Sequence, residues 1–159
     1  MGTHHHGTET EVRALDTFIK LSRAADTIGA HALASYADTG LTISQFGTLE
    51  ALYHLGPLCQ TDIGKKILRS SGNITLVIDN LEKRGLVRRE REGGDRRRVS
   101  VHLTPEGRTL IAGVFPAHVE NITAAFSALT AEEQGELGRL CKKLGKAVAA
   151  LTAPRKNTG

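Results

Sequence analysis

Basic side chains are concentrated in one short segment of the chain, residues 82–98. This segment contains eight lysines and arginines against four acidic residues, an excess of +4, and the whole chain of 159 residues also has a net charge of +4. The rest of the sequence is therefore balanced in charge. A local excess of positive charge is typical of a surface that binds a polyanion such as nucleic acid, although a solvated charged face has the same composition.

The end of the basic segment has the composition of a charged hairpin tip. The stretches 86–92 and 97–103 lie on either side of Gly93-Gly94-Asp95, and apolar and polar residues alternate from Arg98 to Leu103. A period of two next to such a turn predicts a β-hairpin. The tip of this hairpin would carry Asp95, Arg96, Arg97 and Arg98. Arginines at such a tip suit the narrow, electronegative minor groove of DNA. The aspartate would hold an arginine in place through a charge-assisted hydrogen bond.

An amphipathic helix is predicted immediately before this hairpin. Apolar residues at 74, 77, 78 and 81 follow the spacing i, i+3, i+4, i+7 and would face the core. The start of the helix and its opposite face would present Ser70, Ser71, Gly72, Asn73, Thr75 and Leu76. Hydroxyl and amide groups near a helix N-terminus reach phosphate oxygens and base edges, and the leucine could contact a thymine methyl group. Helix capping by a serine and an ordinary exposed leucine are the structural alternatives.

These two elements fit into a winged helix-turn-helix. A short helix at about 61–68 precedes the amphipathic helix across a tight turn, and two such helices form the helix-turn-helix motif. Helical spacing also predicts two helices before the motif and two after it, with start signals at Pro105 and at the capping box that opens with Thr130. The order of elements indicates a mainly α (α+β) fold, a winged helix-turn-helix with N- and C-terminal dimerisation helices.

The predicted elements divide the chain into functional parts. Residues 42–104 form the predicted DNA-binding domain, and residues 12–37 and 105–151 form helices whose apolar stripes lie outside this compact unit. Such stripes are usually buried against a partner chain, so we expect a homodimer. Residues 1–11 are expected to be a disordered leader and residues 152–159 a flexible tail.

Three stretches of the sequence resemble a known family. LEKRGLV at 81–87, DRR at 95–97 and LTPEG at 103–107 are similar to the multiple-antibiotic-resistance regulator (MarR) family, and the resemblance extends over about residues 12–150. It implies a transcriptional regulator that forms a triangular dimer and binds a palindromic operator. It also implies that Arg97 enters the minor groove and that Asp95 orients it, with Arg96 serving instead or as well.

The same resemblance implies an effector pocket between the dimerisation helices and the winged unit. The candidates for its lining are His31, Tyr36, Phe46, Tyr53 and His54. Polar tips on apolar bodies suit a small aromatic acid, a phenol or a quinone, although an ordinary core position is the simpler interpretation of any one of these residues. We expect a repressor that such a ligand releases from DNA.

Redox and metal sensing by the same fold are the alternatives. Cys59 precedes the helix-turn-helix, where oxidation could displace the recognition helix, but a buried and unreactive thiol is the simpler interpretation. The histidines do not show the paired spacing of a metal site, so no metal and no cofactor are expected. A non-specific architectural DNA-binding protein is a further alternative.

The sequence lacks the motifs that are typical of enzymes and of membrane or secreted proteins. We find no nucleophile–base arrangement, no glycine-rich phosphate loop and no paired carboxylates, so we expect no enzymatic activity. There is no apolar run of about 18 residues and no signal-peptide pattern, which argues against a membrane partner. The two distant cysteines are expected to stay reduced, and we expect a cytoplasmic protein that binds double-stranded DNA.

Overall fold

The fold is mainly helical, with one small antiparallel sheet. In this computed structural model we describe residues 2–67, 71–91 and 99–152. Their elements are, in chain order, α1 (Glu9–Ala34), a 3-10 turn (Ala37–Thr39), α2 (Ile43–Leu55), β1 (Leu58–Cys59), α3 (Gln60–Lys66), α4 (Ser71–Lys83), β2 (Val87–Arg91), β3 (Val99–Leu103), α5 (Pro105–Phe126) and α6 (Ala131–Thr152). The predicted winged helix-turn-helix is confirmed, because α3 and α4 form the helix pair and β2 and β3 are the strands of the wing.

Reciprocal capping explains where α1 and α2 begin. The Thr42 hydroxyl accepts a hydrogen bond from the Gln45 N–H (3.2 Å), and the Gln45 side-chain oxygen accepts one from the Thr42 N–H (3.0 Å). Thr8 and Glu11 make the same two bonds before α1. Each box satisfies two backbone donors that a helix start leaves unpaired. Helix α1 consequently begins at Glu9, whereas the apolar spacing predicted a start at Val12.

The sheet has the strand order β1-β3-β2, and both pairings are antiparallel. Val87 lies opposite Leu103 and Arg91 lies opposite Val99, so β2 and β3 form the predicted hairpin. The sequence did not predict β1, since two residues are too few for an alternating pattern to be visible. Leu58 of this short strand pairs with Val101 of β3 and ties the start of α3 to the wing.

The hydrophobic core lies in the winged unit and is mostly aliphatic. Leu49, Ile63, Ile78, Leu81 and Ile111 are completely buried and come from α2, α3, α4 and α5. Each such side chain contributes on the order of 1.5–3 kcal/mol relative to leaving it exposed. All four apolar residues that predicted the inward face of α4 lie in this core. One face of α4 is therefore anchored, and the opposite face is available for binding.

The start of α5 packs closely against the segment that precedes β2. Thr104 Oγ1 donates a hydrogen bond to the Gly85 carbonyl (2.7 Å) and accepts one from the Gly107 N–H (3.0 Å). A Cβ atom at Gly107 would lie 1.9 Å from the Leu86 carbonyl oxygen. Glycine is therefore required at this position, which gives a physical reason for the LTPEG sequence at 103–107.

The contacts divide the chain into two units, Met1–Ile122 and Thr123–Gly159. In the second unit, α6 carries five exposed apolar residues at helical spacing, Leu137, Leu140, Leu144, Val148 and Leu151. In the first unit, no residue of α1 is buried, and Phe18 is 65% exposed. Within the described ranges, no helix is long and apolar enough to cross a membrane.

Candidate nucleic-acid interface

Helix α4 presents a polar face close to its start. Asn73 and Thr75 are exposed, Leu76 is 58% exposed, and Ser71 and Gly72 belong to the first turn. Free backbone N–H groups and the helix dipole at such a start favour phosphate oxygens. The other predicted DNA contacts, Ser70, Asp95, Arg96, Arg97 and Arg98, lie outside the described residues, and their roles stay predictions.

Gln60, the first residue of α3, belongs to the same surface. Its side-chain Nε2 donates a hydrogen bond to the Thr75 hydroxyl of α4. This bond places the start of α3 beside the first turns of the recognition helix and adds an amide to the polar face. The sequence analysis missed Gln60, because spacing within one helix does not show which residue of the next helix it contacts. The available signal was that a polar residue opens the first helix of the motif.

Arg89 joins the recognition helix to the wing. From β2, its two terminal nitrogens contact Asp79 Oδ1 and Glu82 Oε2 of α4, both at 2.5 Å. Its backbone N–H also donates to Glu82 Oε1 at 2.9 Å. Burial lowers the pKa of Arg89, but the hydrogen bonds to the two carboxylates outweigh this effect and the net shift is upward, so the guanidinium stays charged. Arg89 therefore has a bracing role within the protein.

These ion pairs change the interpretation of the basic segment. Arg88 lies 2.5 Å from Glu90 Oε1, and the other oxygen of Glu90 lies 3.3 Å from His102 Nε2. Two of the eight basic residues, Arg88 and Arg89, are thus matched by acidic groups of the same unit. The charge that is available to phosphate groups therefore comes from fewer side chains than the composition suggests.

Arg84 links the end of α4 to the turn before α2. Its guanidinium donates hydrogen bonds to the carbonyl oxygens of Thr39 (2.8 Å) and Gly40 (3.4 Å). Gly40 has a φ of +65°, in the left-handed region that glycine adopts without strain. The Thr39 hydroxyl in turn donates to the Tyr36 carbonyl at 2.6 Å. The recognition helix is thereby connected to the backbone of one predicted effector residue.

Two of the five predicted effector residues, Tyr36 and Phe46, stack on each other. Their rings lie 4.1 Å apart and nearly parallel, and each residue is 3% exposed. His118 of α5 packs against both rings, and its Nδ1 lies 3.3 Å from Ser35 Oγ. Burial raises the pKa of the Tyr36 phenol, and the charge of Glu50 raises it further. The sequence analysis missed His118 as a member of this group, because only tertiary packing brings α5 to it.

Tyr53 and His54 form a second aromatic group around Phe115 of α5. Their ring centroids lie 5.0 Å apart and at 6.4 and 4.7 Å from the ring of Phe115. Phe115 also lies 6.3 Å from His118 and so joins the two groups. His31 is exposed on α1 and makes no ring contact with them within the described part of the chain. The structure therefore brings four of the five predicted residues together.

A cleft of about 450 Å³ lies beside this aromatic region, on the outer face of α2. Its lining comes from α2 and from the end of α3: Ile43, Ser44, Gly47, Glu50, Ala51, His54, Leu55, Lys66 and Ile67. His54 is the one residue of the predicted effector set in this lining. The stacked rings of Tyr36 and Phe46 belong to the core instead.

Cys59 precedes α3 and is half-buried, with its Sγ donating a hydrogen bond to Asp62 Oδ2 at 3.1 Å. This hydrogen bond is the main reason that the pKa of Asp62 is lowered, and Lys65 adds to the effect. A redox role for Cys59 stays a prediction. Among the residues that the structure describes, no group of three or more histidine, cysteine, aspartate or glutamate side chains is placed to hold a metal ion.

Comparisons with known proteins agree with this geometry. The sequence profile of the MarR family matches residues 41–99. The HTH-type transcriptional regulator YkoM of Bacillus subtilis is 38% identical over 138 residues, which cover 86% of this chain and 90% of YkoM.

Two solved structures add neighbours for which an aromatic ligand is known. Bordetella bronchiseptica BpsR, whose DNA binding is regulated by 6-hydroxynicotinic acid, is 29% identical, with 81% of this chain and 98% of BpsR covered and a TM-score of 0.72. NadR, solved in complex with 4-hydroxyphenylacetate, is 25% identical, with 92% of this chain and 99% of NadR covered and a TM-score of 0.68. With a winged helix-turn-helix and a homologous regulator matched over most of its length, the chain belongs to the MarR family of DNA-binding transcriptional regulators.

Proposed function

We propose that the protein is a homodimeric, cytoplasmic repressor that binds a palindromic operator and is released by a small aromatic or phenolic effector. The observation that carries this proposal is the orientation of α4. Its apolar face is buried, and Asn73, Thr75 and Leu76 are exposed on the other side, beside a braced wing. An amide, a hydroxyl and an apolar group on one helix face are the means of reading base edges in a major groove.

The exposed stripes of the terminal helices support a dimer. Leu140, Leu144 and Val148 of α6 are 45–49% exposed, and Phe18 of α1 is 65% exposed. A stripe of exposed apolar side chains along one helix, as on α6, typically marks a protein interface. A two-fold dimer would place two α4 helices on one side, and the operator would have the same symmetry.

The wing supports the groove contacts that the resemblance implies. Arg89 connects β2 to Asp79 and Glu82 and so braces the wing against the recognition helix. Arg97, held by Asp95, would enter the minor groove from the hairpin tip, with Arg96 and Arg98 beside it. Ser70, Ser71 and Gly72 would contact the DNA from the start of α4.

The effector part of the proposal rests on the aromatic region and on two neighbours. Four predicted effector residues lie close to α5: Tyr36, Phe46, Tyr53 and His54. The fifth, His31, is exposed on α1 and makes no ring contact with them within the described residues. BpsR responds to 6-hydroxynicotinic acid and NadR binds 4-hydroxyphenylacetate, and both ligands are hydroxylated aromatic acids. A typical allosteric coupling of about 1–3 kcal/mol would weaken operator binding about 5–150-fold.

The test is selection of bound DNA from a random library, followed by footprinting and titration with salt. We expect a two-fold symmetric footprint with half-sites about one helical turn apart, and a log–log salt slope on the order of −4 to −8. Equal affinity for random duplex would indicate an architectural protein and overturn the proposal. A reporter gene under the selected operator distinguishes repression, our expectation, from activation, which would contradict it.

A further inference from the structure

The cleft between α2 and α3 has an apolar interior that no neighbouring element covers in the described part of the chain. Ile43 and Leu55 are 52% and 53% exposed at its rim, and Ala51 and Ile67 contribute to its walls. Gly47 has no side chain to fill the space. A volume of about 450 Å³ is within the range of small-molecule pockets, roughly 300–1,000 Å³.

Two opposite charges face this cleft from different helices. Glu50 comes from α2 and Lys66 from α3, and within the described residues neither has an ion-pair partner within 4.0 Å. Glu50 is half-buried and has no hydrogen-bond partner in the same ranges. Within the described residues no buried side-chain oxygen lacks a partner, so the Glu50 carboxylate is in contact with solvent in the cleft. It can therefore accept a hydrogen bond from a ligand hydroxyl, and a hydrogen bond to a charged group is stronger than one between neutral groups. His54 lies one turn after Glu50 and offers a further polar group.

We propose that this cleft, rather than the stacked pair of Tyr36 and Phe46, is a binding site for a hydroxylated aromatic acid. The aromatic ring lies between the apolar walls, the carboxylate contacts the ammonium of Lys66, and the hydroxyl donates a hydrogen bond to the carboxylate of Glu50. The charge complementarity of the two walls selects a ligand that carries both groups. A plain carboxylic acid would offer Glu50 no hydroxyl donor, and a plain phenol would offer Lys66 no anion.

The position of Lys66 provides a route from the ligand to the DNA surface. Lys66 ends α3, the first helix of the helix-turn-helix, and α4 begins at Ser71. A ligand that bridges Glu50 and Lys66 restrains α3 relative to α2 and so biases the placement of the recognition helix. This consequence rests on the proposed function, whereas binding in the cleft does not, and the ligand shifts DNA affinity only by its preference for one arrangement.

Calorimetry on the full chain without DNA tests the site with three probes. These are 4-hydroxyphenylacetate, phenylacetate, which lacks the hydroxyl, and 2-(4-hydroxyphenyl)ethanol, which lacks the carboxylate. We expect Lys66→Gln to weaken 4-hydroxyphenylacetate and phenylacetate about 10-fold and to leave the alcohol unchanged, which is the size of one charged hydrogen bond. Glu50→Gln should weaken the two hydroxyl compounds and spare phenylacetate.

Lys65→Gln is the matched control, because Lys65 lies on the same helix but pairs with Asp62 outside the cleft. This variant should bind all three probes like the wild type. Ala51→Leu fills the cleft without adding charge, and it should abolish binding while circular dichroism and operator affinity stay unchanged. Failure of 4-hydroxyphenylacetate to bind at millimolar concentration overturns the proposal, as does equal weakening by Lys65→Gln and Lys66→Gln.

Two further outcomes distinguish a wrong assignment of the binding site from a failure of the proposed effector control. If His118→Leu abolishes binding of 4-hydroxyphenylacetate and Lys66→Gln does not, the ligand occupies the aromatic region and the cleft assignment is wrong. If the cleft variants behave as expected but a saturating ligand leaves operator affinity unchanged, the binding site stands and the proposed effector control fails.

Discussion

Helices α4 and α6 carry apolar residues at similar spacing but differ in what covers them. Ile74 and Ile78 of α4 are at most 1% exposed, whereas Leu144 and Val148 of α6 are 49% and 47% exposed. The sheet and the neighbouring helices of the winged unit cover the stripe of α4. An apolar stripe therefore predicts that a helix has a face to bury, but not whether the same chain or a second copy buries it.

Matched truncations of the two stripes give the largest expected contrast. Ile78→Ala should lower the free energy of unfolding by about 2–5 kcal/mol at any protein concentration, since it leaves a cavity in the core. Leu144→Ala should instead lower stability in a concentration-dependent way, because it weakens the proposed dimer and not the monomer. Urea unfolding at two protein concentrations, combined with sedimentation, measures both. A concentration-independent loss in Leu144→Ala would remove the difference between the helices.

Helix α5 offers a second pair of variants, because one of its glycines is closely packed and another is open. Gly107→Ala should destabilise the winged unit by about 1–3 kcal/mol, because the added methyl group meets the Leu86 carbonyl and the backbone must shift. Gly113→Ala is the control in the same helix, where an added Cβ meets nothing within 4 Å. It should stabilise the protein by about 0.4–1 kcal/mol. Thermal unfolding of the two variants decides the point, and equal effects would contradict the packing argument.

The tip of the wing should affect binding without affecting stability. Arg97→Ala is expected to cost about 1–3 kcal/mol of operator affinity, with unfolding and dimerisation unchanged, because a hairpin tip buries little apolar surface. Asp95→Ala should cause part of the same loss by freeing the arginine. Fluorescence anisotropy with the selected operator measures both variants. Operator affinity equal to wild type in Arg97→Ala would assign the groove contact to Arg96 or remove it.

The smallest effect is expected at the link between α4 and the turn before α2. Arg84→Gln removes two hydrogen bonds to backbone carbonyls and should cost about 0.5–1 kcal/mol of stability, reduced by the exposure of the side chain. Lys83→Gln, at the exposed last residue of α4, removes the same charge and should change stability by less. Equal losses in the two variants would show a general charge effect and no specific link.

Sequence patterns predicted the helices and strands that are defined by the spacing of nearby residues. The spacing of Ile74 to Leu81 predicted the buried face of α4, and the alternation from Arg98 to Leu103 predicted the β-hairpin, although not its register. Strand β1 escaped prediction because it is two residues long. His118, Phe115 and Gln60 were missed as site residues because their partners lie 72, 61 and 15 positions away, at Phe46, His54 and Thr75 respectively. Local sequence patterns describe neighbours along one element, and they do not show which side chains of distant elements come into contact.

Helix periodicity, alternation and capping signals predicted the winged helix-turn-helix from the sequence, because these are properties of short stretches. The MarR family followed from a resemblance of short motifs, and comparison with known proteins confirmed it. Only the tertiary structure shows which charged side chains form ion pairs. Arg88 and Arg89 pair with acidic side chains, whereas Glu50 and Lys66 face an open cleft without an ion-pair partner in the described ranges. Composition counts these four residues alike. Their roles differ because the energy of a charge depends on the distance and solvent exposure of its partner, and folding sets both.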